Sequence, residues 1–172
     1  MTKYRNRNYR RIYSRKGRWS PNIQELLTTS INTIPGTFFT TYTLATNPSQ
    51  QNTTVSQTYT VKNFSIDFYI DTDNQNFNIE DVCAYIVYVP QGMTVGDNYN
   101  ILHPEYILNY KYLGTPSTDA GQFYQPFRIK SRMARKLNTG DSVQLFLKGV
   151  NQSDGNIAME IHGIIRWWTK AN

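Results

Sequence analysis

Phe64, Ile66, Phe68 and Ile70 alternate along the chain with Ser65, Asp67 and the preceding Asn63. A period of two over this length marks an antiparallel strand with one face in a core and the other in water. The run QTYTVKNFSIDFYI (57–70) is therefore read as a strand. Six more runs read the same way: GTFFTTYTLA (36–45), VCAYIVYV (82–89), YILNYKYLG (106–114), FYQPFRIKSRM (123–133), DSVQLFLKGV (141–150) and NIAMEIHGIIRWWT (156–169). Turn formers such as PQG, TPSTDAG, NTGD and SDGN separate them. Only SPNIQELLTTSINTI (20–34) suggests a helix, with Ser20 as N-cap and Pro21 at the first helical position. Its Thr-rich continuation limits that helix to two turns.

Runs of uneven length joined by long loops predict seven or eight antiparallel strands in a Greek-key sandwich. The expected fold is all-β, an eight-stranded antiparallel jelly roll, with immunoglobulin-like packing as the alternative. No helix is long enough to join parallel strands, which argues against an α/β sheet. The chain has 172 residues, charged residues are only 17% and aromatics reach 14%, which suits one domain of strands and polar loops. The single Cys83 forms no intramolecular disulfide, and two histidines without a cysteine cluster give no zinc-finger spacing. No apolar signal-peptide core or membrane span is expected.

Charge changes the picture at one end. Residues 1–18 hold Lys3, Arg5, Arg7, Arg10, Arg11, Arg15, Lys16 and Arg18 and no acid. Beyond them ten bases meet twelve acids, a net of −2, so all the net positive charge sits in the first tenth of the chain. A cationic arm on a near-neutral body is a device for binding a polyanion. Arg predominates, and its planar fork grips phosphate and stacks on bases. Tyr4, Tyr9, Tyr13 and Trp19 add flat faces at about 1–3 kcal/mol for each stacked base, pointing to single-stranded nucleic acid. Nuclear import is a second use for the same residues. A membrane arm would need an apolar helical face, and Ile12 is the sole aliphatic residue between Lys3 and Trp19. The expected division is a mostly disordered arm over 1–35 and a folded domain over 36–172.

Other candidates are thinner. In FRIKSRMARK, Arg128, Lys130 and Arg132 share one face of a strand and Phe127, Ile129 and Met133 the other, with Arg135 and Lys136 following. The cluster is either a solvated strand edge that discourages edge pairing or a second contact for the polyanion or a neighbouring subunit. Trp168 falls on the polar face of the last strand with Glu160, His162 and Arg166. There it is a candidate contact with another chain, or part of the core at the sheet's end. His103 and His162 have no nearby nucleophile, and Cys83 lies in an apolar strand as an inert thiol, so no enzyme and no cofactor are expected. DTDNQNFNIED has Asn76 and Val82 where a calcium loop needs Gly and Glu. It reads as an acidic surface loop, with an ion site on Asp71 and Asp73 as the lesser alternative.

The Arg- and Tyr-rich arm, the SRMARKLNTGDSVQLFL segment and the ending GIIRWWTKAN stand in an order that resembles the capsid proteins of small circular, replication-initiator-encoding single-stranded DNA viruses. The chain is also similar to satellite virus coat proteins. This resemblance covers the whole chain. It implies a homo-oligomeric icosahedral shell, usually of about sixty subunits (T=1), with arms inward on a single-stranded DNA genome. It also implies location in the virion and, during infection, the host nucleus. Its partners are then the chain itself, the genome, host import machinery and an unknown host receptor, with no membrane. The competing classes are a cellular nucleic-acid-binding β-barrel and a jelly-roll ligand-binding module.

Overall fold

The computed structural model describes residues 18–27, 31–47, 58–72, 79–114 and 123–171; for 27, 31, 32, 71, 72 and 123–125 it describes the backbone alone. Ten strands are formed among them: β1 (Ser20–Leu27), β2 (Ile31–Thr33), β3 (Gly36–Thr46), β4 (Tyr59–Thr72), β5 (Ile79–Val89), β6 (Ile107–Gly114), β7 (Phe123–Ser131), β8 (Arg135–Leu137), β9 (Ser142–Asn151) and β10 (Ile157–Ala171). A one-turn helix, α1 (Tyr99–Leu102), and a 3-10 turn (Pro104–Tyr106) lie between β5 and β6.

The first sheet runs β1-β10-β4-β7, with β2 on β10 and β8 on β4, and the second runs β3-β9-β5-β6. Without the three-residue β2 and β8, eight strands remain, and they pair in a nested way. The first pairs with the last (β1·β10), the second with the seventh (β3·β9), the third with the sixth (β4·β7) and the fourth with the fifth (β5·β6). Such nesting is one long antiparallel hairpin, and rolling it so that successive pairs fall into opposite sheets produces the jelly roll. The expected all-β, eight-stranded sandwich is the fold observed.

The expected helix over 20–34 is corrected to strand: β1 and β2 occupy that stretch and pair with β10. Both strands lie upstream of residue 36, so the first sheet begins at Ser20. The apolar positions Ile23 and Leu26 mimic a helical stripe, but Leu26 is buried and Ile23 is 67% exposed, as alternation across a sheet requires. Free backbone groups along β10 from His162 to Thr169 accept the strand, and tertiary pairing outweighs a weak local propensity. Pro21 is compatible with β1 because an edge strand turns half of its N–H groups away from the sheet.

Between the sheets lie Phe64, Ile66, Phe68 and Ile70 of β4, Ile161 and Ile165 of β10, Leu145 and Leu147 of β9, and Ile86 of β5, all buried. Several register shifts interrupt the ladders, and two of them carry a non-glycine residue in the left-handed region. Arg166 pairs with Ser65 but Trp168 with Lys62, so β4 carries one extra residue there. Asn63, at φ 54°, accommodates it in the left-handed region that Asn tolerates. Asp81, at φ 53°, does the same in β5, where Glu80 faces Val150 and Cys83 faces Lys148.

The outer face of the second sheet has its own cover. Phe146, Val87 and Val89 project away from the main core and are sealed by Val95 and Tyr99 of the segment 90–106. Tyr99 donates to the Tyr88 carbonyl at 2.7 Å, Asn100 to the Tyr85 hydroxyl at 3.1 Å, and Lys148 pairs with Asp97 at 2.9 Å. At one end of the sandwich the buried Asp141 carboxylate accepts from the Tyr88 hydroxyl (2.7 Å), the Gln91 N–H (3.0 Å) and the Asn138 N–H (2.8 Å), tying its own turn to the end of β5 and the loop that follows it. Burial first, and then Asp141, pushes the Tyr88 hydroxyl up to about 12; burial does the same for Tyr99.

Candidate nucleic-acid interface

Ten of the twelve expected nucleic-acid-binding residues, Lys3, Tyr4, Arg5, Arg7, Tyr9, Arg10, Arg11, Tyr13, Arg15 and Lys16, lie outside the described residues. Arg18 and Trp19 lie within them, at the entry to β1. The Lys62 ammonium sits 3.8 Å from the centre of the Trp19 ring, a cation–π contact that places the indole over the outer face of the first sheet.

That face is built by alternation. Along β10 the residues opposite the core are Glu160, His162, Ile164, Arg166, Trp168 and Lys170; β4 adds Lys62, Ser65, Asp67 and Tyr69, and β7 adds Arg128 and Lys130. Asp67 sits at its middle. Its carboxylate bonds Arg128 on one side and Arg166 at 3.2 Å on the other, and the hydrogen bond to Asp67, followed by its charge, raises the Arg128 pKa. Glu160 bonds His162 at 3.1 Å, and the His162 ring stacks on Tyr69 with centroids 5.1 Å apart. Among the described residues, Lys62, Lys130 and Lys170 have no carboxylate partner. Trp168 is 40% exposed, and its register partners are Pro21 on one side and Lys62 on the other.

The second basic cluster does not act as a unit. Arg128 and Lys130 share the outer face as expected, whereas Arg132 follows the end of β7 and Met133, expected on the apolar side, is 49% exposed because the strand stops at Ser131. Arg135 turns inward: its guanidinium donates to the Glu105 carbonyl at 2.8 Å and lies over the Tyr88 ring at 5.3 Å. Lys136 is exposed on β8. The outer edge of β7 is occupied, since Asn109 donates to the Lys130 carbonyl and Lys111 to the Arg128 carbonyl at 3.4 Å.

The remaining candidates are scattered. His103 bonds Glu105 at 3.5 Å beside α1, His162 belongs to the first sheet, and Cys83 is half-buried on β5. The side chains of Asp71 and Asp73 lie outside the described residues. Among the described residues no group of three His, Cys, Asp or Glu side chains could hold a metal ion, and no helix is long and apolar enough to cross a membrane.

Charge divides between the two sheets, a feature no overall count discloses. The strands of the first sheet with their flanking residues carry Arg18, Lys62, Arg128, Lys130, Arg132, Arg135, Lys136, Arg166 and Lys170 against Glu25, Asp67, Asp71 and Glu160. The described segments 79–114 and 138–156, which hold β5, β6, β9 and the covering loop, carry Lys111 and Lys148 against Glu80, Asp81, Asp97, Glu105, Asp141 and Asp154. A body that sums to near zero is therefore basic on one sheet and acidic on the other.

Fold and site together define a jelly-roll β-sandwich with one basic face. No protein-family model matches the chain, and no curated protein matches it either. Among solved structures it is similar to a lipoprotein of Bacteroides thetaiotaomicron, with a TM-score of 0.44 at 11% identity over 87% of this chain and 84% of that one. It is also similar to Desmodium yellow mottle tymovirus, with a TM-score of 0.41 at 11% identity over 90% and 89% of the two chains. For infectious bursal disease virus, Gx strain, the score is 0.37 at 7% identity, and this chain spans 32% of that one. The strand order, rather than these likenesses, assigns the fold.

Proposed function

We propose that this protein is a viral capsid subunit that self-assembles into a small closed shell of about sixty copies and packages single-stranded DNA through its Arg-rich arm. The observation that carries the reading is the junction at Ser20: an acid-free stretch of eight bases leads into the edge strand of the basic sheet of a jelly roll. Arm and basic sheet are thus adjacent in the chain, both suited to a polyanion, and counterion release supplies a grip indifferent to sequence. Exposed apolar side chains on the opposite side, Ile101 and Leu102 of α1 with Tyr110 and Tyr112 of β6, support burial between subunits. The virion is the location this role implies, with the arm serving host import machinery on the way to the nucleus.

Light scattering and electron microscopy of the expressed chain test assembly. The expected product is a closed particle of one small size in the megadalton range; a stable 20.0 kDa monomer at micromolar concentration and moderate salt overturns the reading. Replacing the eight arm bases by Gln in the full chain is expected to flatten the slope of log affinity for single-stranded DNA against log salt by about 0.7 × 8, or roughly 5.6. An unchanged slope assigns the packaging contact to the body alone.

A further inference from the structure

The first sheet's outer face joins an exposed indole, Trp168, and a half-buried one, Trp19, to ammonium groups that have no carboxylate partner among the described residues. Trp168 stands between Pro21 and Lys62 in register, with Arg166 and Lys170 two residues away on either side along β10. Trp19 reaches across to the same Lys62 at 3.8 Å. A polar sheet face ordinarily keeps a large aromatic only where something covers it, and two occupants are available: a second protein chain or a nucleic acid. The pairing of cations with indoles decides between them. A second copy of this chain could offer acids to the cations, but these are spread over the opposite sheet and its loops. A single nucleic-acid strand brings both phosphates for Lys62, Arg166 and Lys170 and unstacked bases for the indoles. Duplex DNA hides its base faces and fits less well.

We propose that the outer face of the first sheet, centred on Trp168, Trp19 and Lys62, is a binding platform for single-stranded nucleic acid that stacks bases on the indoles. The proposal rests on the packaging function above and assigns to the folded body a contact that the arm alone does not need. It also fixes the orientation of the subunit, with the basic sheet toward the packaged strand and the acidic sheet away from it.

Arm tyrosines can stack bases too, so the platform's share of any preference for a base-bearing strand is the part that Trp168→Ala removes while the arm is left whole. Affinities of the full chain for an oligothymidylate and for an abasic strand of the same length are therefore compared at one salt concentration. The wild type is expected to favour the base-bearing strand by on the order of tenfold, about the yield of one stacked base. Trp168→Ala is expected to remove most of that preference without altering the salt slope, and Trp168→Phe to keep most of it. Lys62→Gln with Lys170→Gln is expected to lower the slope by about 1.4. A preference unchanged in Trp168→Ala overturns the platform and leaves the capsid reading intact. A normal preference in Trp168→Ala coupled with loss of particles makes the face a subunit contact and likewise overturns it. A lost preference in a chain that never forms particles upholds the platform and removes the capsid reading.

Discussion

Asn63 decides which side chains face the proposed ligand. A strict period of two from Phe64 places Lys62 with the core, and the extra residue in β4 turns it outward opposite Trp168. Asn63→Gly keeps φ 54° accessible and is expected to be near neutral, while Asn63→Val forces a β-branched residue into the left-handed region at about 1–2 kcal/mol. Chemical denaturation of the two variants measures the difference. Gly163 has less freedom still. A Cβ there would lie 2.3 Å from the Asp67 carbonyl oxygen and 2.7 Å from the Phe68 Cβ, so Gly163→Ala must push β10 away from β4. A loss of about 3 kcal/mol is expected by the same assay. Tyr88 and Tyr99 set the alkaline limit. Both hydroxyls hold their protons to about 12 in the folded state, against about 10 when unfolded. Between those values the unfolded chain binds fewer protons, so stability is intact below about pH 10 and falls as pH climbs toward 12. Unfolding midpoints from pH 9 to 11.5 should show that decline, and Tyr88→Phe with Tyr99→Phe should flatten it.

Seven of the ten strands are legible in the sequence because each carries its own evidence. Phe64, Ile66, Phe68 and Ile70 alternate, and the last strand repeats the device through Ile157, Met159, Ile161 and Ile165. β1 is illegible for a physical reason. Its pairing partner is the far end of the chain, from His162 to Thr169, and no local window contains that information. β2 and β8 are three residues long and take their identity from β10 and β4 alone. The covering segment 90–106 escapes notice in the same way: Phe146 reads as one more apolar residue in a buried run, and only the structure shows it sealed on the outer side by Tyr99. Shortening Phe146 to Ala should therefore cost about 3–5 kcal/mol, as for a core phenylalanine. Amide exchange through 90–106 should rise with it, which distinguishes loss of the cover from loss of the main core.

At the scale of the molecule, the arm was legible from charge alone, since no folding is needed to see eight bases without an acid. The basic sheet was not. Its members come from β4, β7 and β10, separated by up to a hundred residues, and the acids of the other sheet cancel them in any total. Trp168 was visible as an anomaly, but only its register with Lys62 and Pro21 gives it a chemical setting. A charge-partitioned body is expected to discriminate between surfaces. Particles should display the acidic sheet, migrate as anions near neutral pH despite the chain's formal +6, and reverse that behaviour when disrupted into subunits. Electrophoretic mobility before and after disassembly measures this.

The junction at Ser20 also has a mechanical meaning. β1 is held to β10 by eight registered pairs, beginning with Ser20 and Thr169 at the arm's end. Tension applied through Trp19 along the strand loads all of those pairs together in shear, whereas tension across the sheet opens them singly, as a zipper opens. Against a pull directed along its own axis, β1 is therefore an anchor that resists a confined polymer. The same strand yields readily to a sideways load.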